Sequence, residues 1–160
     1  MKLRPGDAAP AAQVRDLGGR AVDLAALAAA RPALLFFYKG DCPASGLAAH
    51  ALPRLAAVPG VAVAAISQDG DAETRAFAAR HALAAVSVLV DPAPYPASDA
   101  FGVLATPTWF LVAPGGRVDA MAEGWSRDDA NALAARAAAL AGRPAPVVST
   151  AADGPAFRPG

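Results

Sequence analysis

Residues 33–45 read Ala33-Leu34-Leu35-Phe36-Phe37-Tyr38-Lys39-Gly40-Asp41-Cys42-Pro43-Ala44-Ser45. An apolar run leads into turn residues, and Pro43 is then typical of the first turn of a helix. This order predicts a strand, a turn that carries Cys42, and a helix whose N-terminus faces the thiol. Such a position stabilises an anion and can lower a cysteine pKa from about 8.5 to roughly 3.5–7.5.

A single cysteine is often no more than a small buried apolar residue. Here, however, the residues around Cys42 are turn formers rather than core formers: Lys39, Gly40, Asp41 and Pro43. The flanks therefore favour a reactive thiol. Redox chemistry is the first functional hypothesis.

The composition indicates one α/β domain, which we place at residues 1–142. Much of the 55% hydrophobic fraction is alanine, so the core is expected to consist of Val, Leu and Phe patches in an alanine matrix. The proline- and glycine-rich residues 143–160 are expected to form an irregular tail. With 14 basic and 14 acidic side chains, the charge balance argues against nucleic acid and against an anionic membrane as partners.

The N-terminus lacks the pattern of a secretory signal, and we expect a cytoplasmic protein. One cysteine cannot form an internal disulfide. We expect no cofactor and no metal, because Cys42, His50 and His81 form no recognisable ligand set. His81 is expected to be a solvated residue at a helix C-terminus, where the helix dipole favours a cation.

The rest of the chain alternates between strand and helix patterns. We predict, in order, a hairpin over 13–24 with a brief helix to Leu27, a strand over 33–38, a helix over 43–57, a strand over 61–67, a helix over 72–83, a strand over 86–90, a proline-rich loop, a helical turn over 98–103, a hairpin over 108–123 and a helix over 126–140. Pro53 should kink or end the first long helix. The order predicts a mixed central sheet flanked by helices, with an N-terminal hairpin extension.

This pattern resembles the thioredoxin-fold redoxins, which include thioredoxin-like disulfide reductases and the peroxiredoxins of the alkyl hydroperoxide reductase and thiol-specific antioxidant family. Four segments carry the resemblance: Arg4-Pro5-Gly6-Asp7-Ala8-Ala9-Pro10 with the Gly18-Gly19-Arg20 turn, the Cys-x-x-Ser turn in Phe36 to Ser45, Ala105-Thr106-Pro107-Thr108, and Asp119 to Trp125. The resemblance covers about residues 4–140 and implies a thioredoxin-like fold.

The resemblance also implies the site. Ala105 to Thr108 is similar to the family's cis-proline loop, so Thr106–Pro107 is expected to be cis and to contact Cys42. The Thr106 backbone would then lie where an extended substrate segment could pair with it. The implied catalytic residues are Cys42, Ser45, Thr106 and Pro107, and the implied site-lining residues are Lys39, Gly40, Asp41, Pro43 and Trp109.

Two departures from the family bear on mechanism. Ser45 stands where thioredoxin-like reductases have a second cysteine, and a serine cannot resolve a mixed disulfide. Ser45 is either a hydrogen-bond donor to the Cys42 thiolate or an ordinary serine of a first helical turn. Peroxiredoxins carry a threonine three residues before the reactive cysteine and a proline four residues before that, where this chain has Lys39 and Leu35. This argues against efficient peroxide reduction.

Charges and aromatic rings near the site allow two interpretations each. Lys39 either lowers the pKa of Cys42 or points to solvent. The negative charge of Asp41 either opposes ionisation of the thiol or has little effect because its side chain turns away. Tyr38, Trp109 and Trp125 either wall the site or belong to the core.

Two classes of function follow. In the first, the chain is a monothiol redoxin, in which the Cys42 thiolate attacks a disulfide or peroxide and an external thiol, glutathione or a thioredoxin, resolves the product. In the second, it is a non-catalytic binding module that uses the cis-proline groove. The pKa of the thiol discriminates between them, and the setting of Cys42 favours the redoxin.

Overall fold

A computed structural model describes residues 2–160, and a mixed seven-stranded sheet forms its centre. The strands of this sheet are β1 (Gln13–Asp16), β2 (Ala21–Asp23), β3 (Ala33–Tyr38), β4 (Ala62–Ser67), β5 (Ser87–Val90), β6 (Thr108–Val112) and β7 (Val118–Glu123), in the order β2-β1-β5-β4-β3-β6-β7. Strands β3, β4 and β5 are parallel, and the other neighbours are antiparallel. The predicted mixed sheet is confirmed, and the N-terminal hairpin joins it through β5.

Helices cover both faces of the sheet. They are α1 (Leu24–Leu27), α2 (Pro43–Ala48), α3 (Ala51–Ala56), α4 (Asp71–Arg80), α5 (Pro96–Ala100) and α6 (Arg127–Leu140). Helices α2, α3, α4 and α6 pack on one core cluster, while α1 and α5 pack on the other. The predicted flanking by helices is therefore confirmed.

Strand β3 lies at the centre and separates the two core clusters. Its six residues are all buried, and side chains of a strand alternate between faces. Leu34, Phe36 and Tyr38 therefore point to the cluster below α2 and α6, and the alternate residues point to the cluster below α1 and α5. Because both faces are covered, the turn that follows β3 starts from a rigid support.

The first long helix differs from its prediction. The expected helix over 43–57 is two helices that break at Ala49 and His50, before the expected kink at Pro53. Pro53 has no N–H to donate to the Ala49 carbonyl, which instead accepts from Leu52 N at 3.1 Å. His50 Nδ1 lies 2.8 Å from the Leu47 carbonyl oxygen. The imidazole thus provides a hydrogen-bond partner for a carbonyl at the break between the two helices.

The tail over 143–160, hereafter the C-terminal tail, also differs from its prediction. The expectation of an irregular tail is wrong for two short segments: Ala151–Asp153 forms a 3₁₀ turn, and β9 (Phe157–Arg158) pairs antiparallel with β8 (Trp125–Ser126). Val148 and Ser149 are buried. The division into a domain over 1–142 and a tail stays a prediction, and Met1 lies outside the described residues.

Candidate active site

Cys42 lies between the end of the central strand β3 and the first turn of α2. It is the N-cap residue of α2, with Pro43 in the first turn, as the sequence predicts. The residue is half-buried and packs against the core cluster that contains Trp109 and Trp125. The thiol therefore combines access from solvent with a fixed position at a helix N-terminus.

The pKa of the Cys42 thiol lies below its ordinary value. Burial raises this pKa, but the backbone N–H and hydroxyl of Ser45 lower it, and the Thr106 hydroxyl and the Ala44 N–H act in the same direction. These donors stabilise a thiolate and gain nothing from a neutral thiol. The neighbouring groups of the first helical turn therefore favour the nucleophilic form of the cysteine.

Ser45 is the second residue of the site that stands out. It is completely buried, and within residues 2–160 its Oγ has no hydrogen-bond partner. A buried hydroxyl without a partner costs roughly 1–3 kcal/mol. The Ser45 side chain lowers the pKa of Cys42, which is the effect expected of a hydroxyl that donates to a thiolate. Of the two interpretations of Ser45, the structure favours the donor to the thiolate.

The loop before β6 brings Thr106 and Pro107 to the cysteine. The Thr106–Pro107 peptide bond is cis, and Cys42 Sγ donates to the Thr106 carbonyl at 3.1 Å. Both the predicted cis bond and the predicted contact are confirmed. Because β3 and β6 are neighbours in the sheet, the loops at this edge meet although 64 residues separate them.

Residues 5–121 match the model of a protein family described as AhpC/TSA, and this range contains both the Cys42 turn and the Thr106-Pro107 loop. The chain belongs to the AhpC/TSA family. Among curated protein sequences, none matches this chain significantly.

Solved structures similar to this AhpC/TSA protein share its fold. A Chlorobium tepidum protein described as a thiol:disulfide interchange protein DsbE is 24% identical, with a TM-score of 0.76 over 87% of this chain and 99% of that chain. A peroxiredoxin-like protein from Aquifex aeolicus is 20% identical, with a TM-score of 0.69 over 83% of this chain and 87% of that chain. A secreted Mycobacterium tuberculosis disulfide oxidoreductase is 22% identical, with a TM-score of 0.62 over 69% of this chain and 81% of that chain. At these identities the likeness shows the fold, which is thioredoxin-like as predicted.

Gly40 fixes the turn to the neighbouring strand of this AhpC/TSA fold. Its N–H donates to Asp69 Oδ2 at 2.7 Å, and Asp69 follows β4. A Cβ at Gly40 would lie 3.0 Å from that carboxylate oxygen and 3.5 Å from the Phe77 ring. A side chain at residue 40 would therefore require the Asp69 carboxylate to shift. Asp69 was not predicted from the sequence, although adjacent parallel strands that end at one edge provide a signal for it.

The remaining predicted neighbours of Cys42 are exposed. Lys39, Asp41 and Pro43 all lie on the solvent side of the turn. The Lys39 carbonyl accepts from Cys42 N at 3.1 Å, so this residue holds the turn through its backbone. The leading contributions to the pKa of Cys42 come from burial and from hydrogen-bond donors, rather than from the charges of Lys39 or Asp41.

The aromatic residues considered as walls of the site belong to the core. Tyr38, Trp109 and Trp125 are at most 2% exposed. Trp109, which the resemblance placed in the site lining, packs edge-on against Phe36 at 4.6 Å and donates its indole N–H to the Gly124 carbonyl at 3.1 Å. That placement is corrected: as a β6 residue on the covered face, Trp109 supports the site from below and is not exposed to a substrate.

Neither histidine behaves as a solvated cation. His81 lies at the C-terminus of α4, as expected, but the expectation that it is solvated is wrong: the residue is half-buried against Phe77 at 4.4 Å, and burial, with the charge of Arg80, lowers its pKa. His50 packs edge-on against Trp125, and its Nε2 lies 2.8 Å from Ser149 Oγ. His50 therefore links α2 to the C-terminal tail.

The end of the C-terminal tail reaches the site, which the sequence analysis did not foresee. Gly160 lies directly on the Thr106 carbonyl, so that a Cβ there would overlap the carbonyl oxygen. The contact involves a residue more than fifty positions along the chain and no side chain, so the sequence carries no periodic or motif signal for it.

Metal binding and membrane spanning were considered for the described residues. Within residues 2–160, no group of three or more His, Cys, Asp or Glu side chains is arranged to bind a metal ion. Over the same residues, no helix has the length and apolar character needed to cross a membrane.

Proposed function

We propose that this AhpC/TSA protein is a monothiol oxidoreductase that acts through the Cys42 thiolate. The observation that carries the proposal is the half-buried Cys42 at the N-terminus of α2, whose pKa is lowered by donors from Ser45, Thr106 and Ala44. A thiolate that is partly exposed and stabilised by a helix N-terminus is typical of a reactive cysteine.

With a disulfide, the Cys42 thiolate attacks one sulfur and a mixed disulfide forms, while the other sulfur leaves as a thiolate. The sequence contains no second cysteine, so an external thiol must attack the mixed disulfide. That attack forms a new disulfide and returns the Cys42 thiolate. We propose glutathione or a thioredoxin as this external thiol.

With a peroxide, the thiolate attacks one oxygen, the O–O bond breaks, and Cys42 becomes a sulfenic acid while hydroxide or alkoxide leaves. One external thiol then condenses with the sulfenic acid to give a mixed disulfide and water, and a second thiol releases the reduced cysteine. Of the two substrates we favour the disulfide, because Leu35 and Lys39 replace the residues expected before a peroxidatic cysteine. An antioxidant role follows only if peroxide is the substrate.

Ser45 and Thr106 have separate parts in this proposal. The Ser45 hydroxyl donates to the thiolate and stabilises it both before attack and when it leaves. The Thr106 carbonyl accepts from the neutral thiol at 3.1 Å and holds the sulfur at the edge of the loop. Pro107 is buried beneath this contact and fixes the loop.

Mass spectrometry of the intact protein tests the proposal. Treatment with one equivalent of a small disulfide should give a mixed disulfide on Cys42, which added glutathione removes. Sustained turnover should require the added thiol. The matched variant Ser45→Cys should form an internal disulfide instead of a stable adduct, because two cysteines in Cys-x-x-Cys have suitable geometry.

The same experiment separates the two classes of function. A Cys42 that forms no adduct in the folded protein, with an apparent pKa above about 9, would point to the non-catalytic binding module. Turnover without added thiol, beyond one equivalent of oxidant, would contradict the monothiol mechanism.

The compartment is also part of the proposal. We propose the cytoplasm, where glutathione and thioredoxin keep thiols reduced and can supply the external reductant. Fractionation of cells that express the full chain would test this, and recovery of the protein outside the cytoplasm would overturn it.

A further inference from the structure

The C-terminal tail is fastened to the domain at several points from Val148 onward. Asn131 Oδ1 accepts from the backbone N–H of Val148 and of Ser149, and Arg54 forms a two-bond ion pair with Asp153 at 2.8 Å. These contacts bring the chain across α6 and α3 towards the edge of the sheet where Cys42 lies.

The next residues of the tail bind the segment that follows β7. The Trp125 indole donates to the Pro155 carbonyl at 2.7 Å, and the backbone N–H of Arg127 donates to the Ala156 carbonyl at 2.8 Å. Strand β9 then pairs with β8, with Arg158 opposite Trp125, and contacts α2. The exposed edge of β8 is therefore already occupied by this chain.

The last residues pack on backbone rather than on side chains. A Cβ at Gly124 would lie 3.0 Å from both Arg158 O and Gly160 N, and a Cβ at Gly160 would overlap the Thr106 carbonyl. Gly124 has φ +72 and donates its N–H to the Pro107 carbonyl at 2.7 Å. Two glycines thus allow the tail to lie directly on the loop that contacts Cys42.

The contact point is the same carbonyl that accepts from the Cys42 thiol. An extended polypeptide that pairs with the backbone of Thr106 would need the space that Gly160 fills. A small molecule needs only the sulfur, and Cys42 remains half-buried rather than covered.

We propose that Phe157–Gly160 is a specificity-determining segment. It fills the space beside the Thr106 backbone, here called the Thr106 groove, and so excludes polypeptide disulfides while leaving Cys42 to small disulfides or peroxides. The inference rests on the proposed function, because it names the substrate class for the same thiol. The segment acts by occupying the groove and takes no part in the redox step. Of the two external thiols proposed above, it therefore favours glutathione over a thioredoxin, which is a polypeptide.

The test uses the full chain with Gly160→Val, because a side chain at this position cannot fit against Thr106. Ala152→Val is the matched control, since it adds a valine at an exposed position in the 3₁₀ turn of the same tail. For each protein, the rate of mixed-disulfide formation is measured with insulin as the polypeptide probe and with oxidised glutathione as the small probe.

We expect Gly160→Val to raise the rate with insulin roughly tenfold, which corresponds to about 1.4 kcal/mol for displacing the segment. The rate with oxidised glutathione should stay within about twofold, and the control should match the wild type with both probes. Amide resonances of Thr106 and Gly124 should shift in Gly160→Val and not in the control.

The alternative outcomes are distinct. If the resonances shift but the ratio of the two rates does not change, the segment does not select substrates and the inference is wrong. Unchanged amide resonances of Thr106 and Gly124 in Gly160→Val would show that Gly160 does not pack on Thr106, and this would also overturn the inference. Failure of the wild type to form an adduct on Cys42 with oxidised glutathione and with hydrogen peroxide alike would overturn the proposed function, and the inference with it.

Discussion

The active-site turn over 39–45 and the C-terminal tail meet at Thr106, but they are held in different ways. The turn continues from β3, whose six residues are all buried, and is tied to the next parallel strand through Gly40 and Asp69. The tail is mostly exposed and is held by polar contacts from Arg54, Trp125 and others.

The difference predicts that the two regions differ in local stability although they share one contact at Thr106. Buried apolar surface contributes most of the free energy of folding, whereas exposed ion pairs contribute little each. We therefore expect the turn to open only with the whole domain, and the tail to open locally. A displaceable tail can regulate access without any change in the geometry of Cys42.

The largest effect is expected for Cys42→Ser, which should reduce thiol-dependent turnover and mixed-disulfide formation to background. The hydroxyl has no accessible anionic form at neutral pH, so the step that needs a thiolate is lost. Turnover with oxidised glutathione measures this. An unchanged amide spectrum for the tail would show that the two regions respond separately, whereas residual turnover would assign the chemistry to another group.

The next largest effect is expected for Trp109→Ala, which should lower the free energy of unfolding of the domain that supports the turn. Trp109→Ala removes a buried ring that packs on Phe36, and large-to-small changes of this kind destabilise by about 3–5 kcal/mol. Chemical denaturation measures the free energy of unfolding. The tail variant Phe157→Ala, at a side chain that is 68% exposed, is the control and should change it little. Equal losses for the two variants would contradict the contrast between turn and tail.

A smaller effect is expected for Ser45→Ala. Loss of the buried hydroxyl removes one donor to the thiolate, so the pKa of Cys42 should rise and its alkylation by iodoacetamide at pH 7 should slow severalfold. At a pH above both pKa values the two rates should converge, because both proteins are then fully ionised. An unchanged titration would assign the lowered pKa to the remaining donors, which are the backbone N–H groups of Ser45 and Ala44 and the Thr106 hydroxyl.

The smallest effect on the whole molecule is expected at the clamp between Arg54 and Asp153. Hydrogen bonds from Arg54 and from the Thr150 backbone lower the pKa of Asp153 below its ordinary value. A lowered folded pKa means that the stabilisation is complete above the unfolded value of 3.8 and is lost as the pH falls through the folded pKa. The tail should therefore loosen in acid.

Asp153→Asn should weaken the clamp already at pH 7 and reduce its acid dependence. The indole N–H resonance of Trp125, which donates to the Pro155 carbonyl, reports the attachment of the tail. In the wild type it should move as the pH falls below 3.8, before global unfolding, and in the variant it should move less. A resonance that moves only with global unfolding would show that the tail is as firmly held as the turn.

Much of the turn was predictable because its signals are local. The apolar residues of β3, the turn residues after it and the helical sequence after Pro43 placed Cys42 at the N-cap of α2. The break between α2 and α3 was predicted at the wrong position. The side chain of His50 and the missing N–H of Pro53 act together there, and only the proline is recognisable in the sequence as a helix breaker. Trp109 was placed in the site lining, because an aromatic residue beside a motif gives no information about the face to which it points.

The sequence by itself determined the α/β order, the family resemblance and the single thiol with a serine in place of a second cysteine. Local propensity, periodicity and residue chemistry depend on a few neighbouring residues, so they can be inferred from a single sequence. Only the tertiary structure decided that the Ser45 hydroxyl is buried with no hydrogen-bond partner among residues 2–160, that Asp69 holds Gly40, and that Gly160 lies on Thr106. The last two contacts join distant residues through backbone atoms, and they become defined only when the sheet brings its edges and the tail together.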